Sequence, residues 1–180
     1  SGNLRTTDSR YNVVQVGDEM ADVFSEAGIS VLHDRTLYDY PSYNEAYDRS
    51  LGAIESYLAQ YPSLRFILDV HRDAIEDSEG NEYKVVSPIE GVGTAAQITL
   101  VVGSDGSGLP HPNWKENLKL AVAIQENIIG VYPSLMRPLV LRNSRYNQHA
   151  TTGSLLVEMG AAGNSLDEAL LAARLFTEQM

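Results

Sequence analysis

Arg-Phe-Ile-Leu-Asp-Val-His-Arg-Asp, residues 65–73, is an apolar run that ends in three ionisable side chains, and its reading decides the fold. Phe66, Ile67, Leu68 and Val70 have the length and β-rich composition of a strand buried on both faces, as in a parallel sheet. His71, Arg72 and Asp73 then stand at its carboxyl end. In open α/β sheets the ligand crevice lies outside the carboxyl ends of the strands, so an imidazole there is placed to bind a metal or move a proton. The same residues also suit a hydrogen-bonded histidine beside a surface Arg/Asp pair, and this stretch alone leaves both readings open.

Outward from that strand, helical and strand patterns alternate. Val13, Val16, Met20, Val23, Phe24 and Ala27 recur at amphipathic-helix spacing, and Gly28 follows as a C-terminal stop. Ile29–Leu32 reads as a short strand running into His33, Asp34 and Arg35. Tyr43 to Leu58 is a second helix, with Ala46, Tyr47, Ile54 and Leu58 inward, stopped before Pro62. Beyond the organising strand, Asp77–Asn81 is a turn between short antiparallel ribbons, and residues 96–103 form a further buried strand. A helix runs from Trp114 to about Ile129 with Asn113 as its N-cap, and residues 139–141 form a strand. Leu155–Val157 is a last strand ending in Glu158. Ser165 caps a C-terminal helix, with Glu168 at the capping-box position. Strands alternating with helices of this length predict one α/β domain over residues 1–180, an open, mostly parallel twisted sheet with helices on both faces.

Composition bounds the function. The chain has 180 residues, 43% hydrophobic and 21% charged, enough for one sizeable core. A formal charge of −11 argues against a nucleic-acid partner or an anionic lipid surface, both of which need clustered Lys/Arg. Without cysteine, disulfides, thiolate metal sites and cysteine nucleophiles are excluded. No apolar run approaches the roughly 20 residues of a membrane span.

Three predicted strands end in ionisable residues: Leu32 in His33-Asp34, Val70 in His71-Arg72-Asp73, and Val157 in Glu158. If those strands are neighbours, two imidazoles and a carboxylate converge on one crevice. Such groups are ordinary zinc ligands, and a carboxylate near bound water acts as general base. Burial after an apolar strand would raise the pKa of Glu158 and suit it to proton transfer. His111 stands before a proline at the approach to a helix, and His149 lies in a donor-rich loop with Arg145 and Asn147. Arg72, Asp73, His111, Arg145, Asn147 and His149 are the candidate substrate-binding groups, useful for substrate carboxylates or amides.

Leu68-Asp69-Val70-His71-Arg72-Asp73 resembles the stage II sporulation protein P family of endospore-forming bacteria. In the same order, His33–Thr36, Tyr43–Tyr47, His111–Trp114, Arg145–His149 and Leu155–Gly160 with Gly163-Asn164 agree with it. The resemblance implies an open α/β fold like that of zinc-dependent N-acetylmuramoyl-L-alanine amidases. It also implies cleavage between muramic acid and L-alanine in peptidoglycan, with a second activity as an endopeptidase on crosslinks. A role in forespore engulfment follows, outside the cytoplasm between the mother-cell and forespore membranes, membrane-anchored in the full-length protein and beside other engulfment proteins. By the same resemblance His71 is a zinc ligand and Glu158 the catalytic glutamate. The family's earlier strand, ending in a His-Thr-His-Thr-like segment, has no counterpart in this chain. One ligand is thus expected from His71, with His33 the internal candidate for a second and Asp8 a weaker third. The alternative is a non-catalytic peptidoglycan-binding or scaffold domain of the same fold, and a weaker one is a zinc peptidase acting only on crosslinks.

Overall fold

The computed structural model describes residues 6–180. Helices α1 (Val13–Glu26), α2 (Ala46–Gln60), α3 (Trp114–Val131) and α4 (Leu166–Gln179) accompany six strands, β1 (Ile67–Asp73), β2 (Val86–Ile89), β3 (Gly93–Ala96), β4 (Ile98–Gly103), β5 (Val140–Arg142) and β6 (Ser154–Ala161). The main sheet has the order β1-β6-β4-β5, and β2 and β3 form a separate antiparallel ribbon. β1 runs parallel to β6 and β4 parallel to β5, while β6 meets β4 antiparallel. Two of the three pairings in the sheet are therefore parallel, which is the open, mostly parallel α/β class expected.

Side chains alternate along a strand, so each strand presents two unlike faces. Leu155, Val157 and Met159 of β6 share one face with Ile98, Leu100 and Val102 of β4. These six pack with Val16 and Met20 of α1, Ala121, Ile124 and Ile128 of α3, and Ala172, Ala173 and Phe176 of α4 in a single apolar cluster. The other face carries Asp69 and His71 of β1, Glu158 of β6 and Thr99 of β4, and α2 reaches it through Tyr47, whose ring stacks on His71. No residue of α2 is fully buried. The polar face is thus only partly roofed.

Local signals fixed several boundaries. Gly28 adopts φ +79°, a conformation costly for any residue with a Cβ, and so stops α1. The Ser165 hydroxyl accepts the Glu168 N–H at 3.2 Å while Glu168 Oε2 accepts the Ser165 N–H at 3.0 Å, completing the predicted capping box. Ser165→Ala should cost about 0.5–2 kcal/mol, the usual value of such a cap, read as a lowered urea midpoint at unchanged slope. Asn113 stands at the N-cap of α3, but its side chain makes no capping bond.

Two strand expectations are corrected. Ile29–Leu32 lies outside any strand, and Ile29, Val31 and Leu32 are exposed. A run as short as Ile-Ser-Val-Leu becomes a strand only where an edge pairs with it, and the outer edge of β1 has no strand partner among the described residues. The last strand, by contrast, does not stop at Val157. β6 is paired on both sides, which carries it through Glu158 to Ala161. Glu158 and His71 therefore lie within strands, on the face of the sheet, and not in a crevice beyond the strand ends.

Candidate functional site

β1 and β6 place His71 and Glu158 directly opposite one another as register partners. Asp69, two residues before His71, falls on the same face, and its Oδ1 lies 3.0 Å from His71 Nε2. With Nε2–H donated to Asp69, the lone pair of the ring resides on Nδ1. Tyr47 of α2 stacks on His71 with ring centroids 6.5 Å apart and 15° between planes, and Tyr146 packs on Tyr47 at 5.8 Å. Asp73, beyond a register shift in β1, accepts from Arg137 Nη1 at 3.2 Å, and the same nitrogen reaches Thr99 Oγ1 at 3.4 Å.

The electrostatics follow from this crowding. Glu158 is largely desolvated, and burial pushes its carboxyl up from 4.5 to about 7; His71 opposes that rise, while Asp73 and Asp69 add to it. One of its oxygens, Oε2, is buried without a hydrogen-bond partner among the described residues. At His71, burial disfavours the cation. The hydrogen bond and charge of Asp69, helped by Glu158 and Asp39, outweigh it and raise the imidazole above 6.5. The cluster therefore changes its proton count near neutral pH.

A raised carboxyl in the folded state has a definite consequence for stability. Below pH 4.5 Glu158 is protonated in both folded and unfolded chains, so it carries no penalty. Between 4.5 and about 7 the unfolded chain releases the proton and the folded chain holds it, so stability falls as pH rises, and the penalty is complete above about 7. In metal-free buffer, Glu158→Gln should accordingly be more stable than the parent at pH 8 and lose that advantage toward pH 4. Urea unfolding of both proteins at the two pH values checks this, and a pH-independent difference would contradict it.

The remaining sequence candidates are dispersed. His33 gives its Nδ1 to Asp18 of α1 at 3.0 Å, with Arg35 on the same carboxylate, and its ring lies against Gly17. Its expected place at a strand end is lost with the strand itself. Asp8 caps a 3-10 turn at Ser9–Tyr11 and pairs with Arg10. Arg72 is exposed, and alternation directs it away from His71. Asn147, in the left-handed region at φ 58°, donates to Tyr47 O at 2.7 Å and Ser50 Oγ at 3.0 Å, clamping α2 to the loop before β6. Arg145 donates to Pro110 O at 3.3 Å. His111 and His149 lie against each other beyond the amino end of β6. Among the described residues, no group of three or more His, Asp or Glu side chains is arranged to hold a metal ion.

Sequence reasoning missed Asp69, Tyr47, Tyr146 and Arg137. Asp69 alone was accessible, since residues i and i+2 of a strand share a face. Gln148, by sequence one more donor of the loop before β6, is turned inward: its amide accepts from Gly103 N–H at 2.9 Å and donates to Val101 O at 2.8 Å, closing the end of β4.

Comparison with known proteins identifies the family. The family described as stage II sporulation protein P matches residues 1–180. The stage II sporulation protein P of Bacillus subtilis (strain 168) is 29% identical over 176 residues, covering 92% of this chain and 41% of that protein. The chain thus spans less than half the length of this relative. No solved structure matches. With the family match running from the first residue to the last, the chain belongs to the stage II sporulation protein P family.

Proposed function

We propose that this chain is the hydrolase domain of a zinc-dependent peptidoglycan amidase, cleaving the bond between muramic acid and L-alanine, with a second activity on peptide crosslinks. The reading places it outside the cytoplasm during forespore engulfment, anchored to membrane through other parts of the protein and working beside other engulfment proteins. The observation that carries it is the pairing of His71 with Glu158, its carboxyl raised to about 7, on a partly open sheet face. A carboxyl titrating near the working pH is suited to both halves of a proton transfer.

The donor set fits zinc in part. His71 offers the Nδ1 lone pair, and Asp69 on its other nitrogen is the carboxylate partner that metal-bound histidines commonly have. No second and third ligand join it among the described residues. The outer edge of β1 has no strand partner among those residues. His33 would join the set only by leaving Asp18. Zinc, when bound, supplies a polarised carbonyl and an acidified water.

The chain's own residues then do the following. Glu158 takes a proton from the attacking water as its oxygen bonds to the amide carbon. It returns that proton to the amide nitrogen as the carbon–nitrogen bond breaks, leaving a carboxylic acid and a free amine. Asp69 orients His71, while Tyr47 and Tyr146 wall the face. Asp73, beside the cluster, is assigned to a charged group of the stem peptide; Arg72, directed away from His71, and Arg145, held on Pro110 O, are given no part in it. Asn147 is assigned a supporting role, because its amide already serves Tyr47 and Ser50.

Asp69→Asn should keep the fold and lower kcat/KM by about 10–100-fold, the usual effect of removing a carboxylate behind a metal-bound histidine. Stem-peptide release by the full-length protein measures it, and activity within twofold of the parent would remove Asp69 from the site. The second reading, a peptidoglycan-binding domain without turnover, draws on the missing three-ligand group among the described residues. It predicts retention on purified cell wall with no peptide released, whatever metal is added.

A further inference from the structure

Arg137 reaches the sheet face from a segment that the chemistry above does not use. Met136 bridges to Ile98 at the amino end of β4, and the Arg137 N–H donates to Ile98 O at 2.8 Å, so residues 135–137 run alongside that strand. Pro138 follows, and its ring holds the residue before it in extended backbone. Met136 is buried in the apolar cluster, so alternation sends Arg137 to the opposite, polar face. There its Nη1 lies 3.2 Å from Asp73 Oδ2 and 3.4 Å from Thr99 Oγ1, and Thr99 is the register partner of Glu158.

This ion pair is neither buried nor saturated. The side chains of Arg137 and Asp73 are 33% and 35% exposed, and so open a pair adds little to stability. A guanidinium has five N–H donors, and both contacts of Arg137 come from Nη1. Its Nε and Nη2, and Oδ1 of Asp73, make no hydrogen bond among the described residues. A donor fork and a carboxylate oxygen therefore stand side by side, both accessible to a ligand. The ammonium and carboxylate on one amino-acid carbon are likewise roughly 3 Å apart, as bonds near 1.5 Å dictate. Asp69, Asp73 and Glu158 share this face, so an anionic group of a substrate needs a cation in order to enter, and Arg137 supplies it.

We infer that Arg137 and Asp73 form a specificity subsite for a zwitterionic amino-acid head on the stem peptide, Arg137 taking its carboxylate and Asp73 its ammonium. This rests on the reading of the sheet face as a stem-peptide site. Asp73 lies two residues beyond His71 on β1, roughly 7 Å along a strand, and two extended residues of a peptide span roughly the same length. A stem peptide laid along β1 with its first amide at His71 and Glu158 thus brings the side chain of its third residue to the pair. A diaminopimelate there ends in such a head, whereas a lysine ends in an ammonium alone. The subsite selects the first.

Calorimetry of the full-length protein with three free stem peptides, alike except at the third residue, tests this. That residue is diaminopimelate, diaminopimelate with its side-chain carboxyl as the carboxamide, or lysine. The unmodified protein should bind the first at least roughly tenfold more tightly than the other two, the usual weight of a hydrogen bond to a charged group. Arg137→Gln should weaken the first and leave the others within about twofold, so that the preference collapses, and Arg137→Lys, which keeps the charge without the fork, should restore part of it. If neither variant folds, the order of affinities in the unmodified protein decides. Equal binding of the three peptides, binding of none, or an Arg137→Gln that weakens all three alike and keeps the preference would overturn the subsite. Release of stem peptides from cell wall without this preference refutes the subsite and keeps the hydrolase reading, and the preference without release does the reverse.

Discussion

Glu158→Gln in the full-length protein is expected to fold normally, bind cell wall as the parent does, and lose about 10²–10⁴-fold in stem-peptide release, the usual contribution of general acid–base catalysis. The substitution is nearly isosteric and leaves the register with His71 intact, so the loss is one of proton transfer. The amide cannot take a proton from water or return it to a leaving amine. The sheet-face position makes the test clean, because the substituted side chain would sit in the same pairing between β1 and β4 without a buried charge to solvate. A variant within a few-fold of the parent would remove Glu158 from the chemistry. Loss of wall binding together with turnover would instead assign it to substrate.

The largest expected effect on stability lies on the opposite face. Phe176 of α4 is fully buried and packs in the cluster that joins α1, α3 and α4 to β4 and β6. Phe176→Ala removes an aromatic ring from this cluster, whose members Ile98, Leu100 and Ile128 are themselves inaccessible and held by the sheet and α3. Such a site closes only partly over the cavity, so the cost should be about 3–5 kcal/mol. Against a total stability of about 5–15 kcal/mol for a typical domain, the variant should unfold at a much lower urea midpoint or fail to accumulate folded. A loss under about 1 kcal/mol would mean that the helices can collapse onto the sheet, contrary to the packing described.

What the sequence disclosed and withheld has a physical pattern. Features governed by a few neighbouring residues were readable. The 3.6-residue periodicity of α1, the stop at Gly28, the capping box of α4 and the apolar run of β4 are all local, and the structure has them within a few residues. Pairing was not readable. Ile29–Leu32 has the composition of a strand, but a strand exists only in partnership, and these residues have no ladder. Glu158 looked like the end of a strand because charge and glycine punctuate β patterns, yet pairing on both sides carries β6 past it. The same non-local pairing brings His71 to Glu158, and no spacing in the chain announces it. His33 illustrates the converse. Its likeness to a strand-end ligand was a matter of local pattern, and its observed partner is Asp18 on a helix. The approach of His111 to His149 likewise depends on how α3 and the loop before β6 are laid beside one another.

What comes off the cell wall tests the hydrolase reading most directly. Purified peptidoglycan incubated with the full-length protein and zinc, then analysed by mass spectrometry, should yield free stem peptides with a new alanine amine and glycan fragments whose muramic acid carries a free lactyl carboxylate. Wall that sediments with the protein bound and every muramic acid still joined to its peptide would contradict it, and would leave the chain as a binding domain.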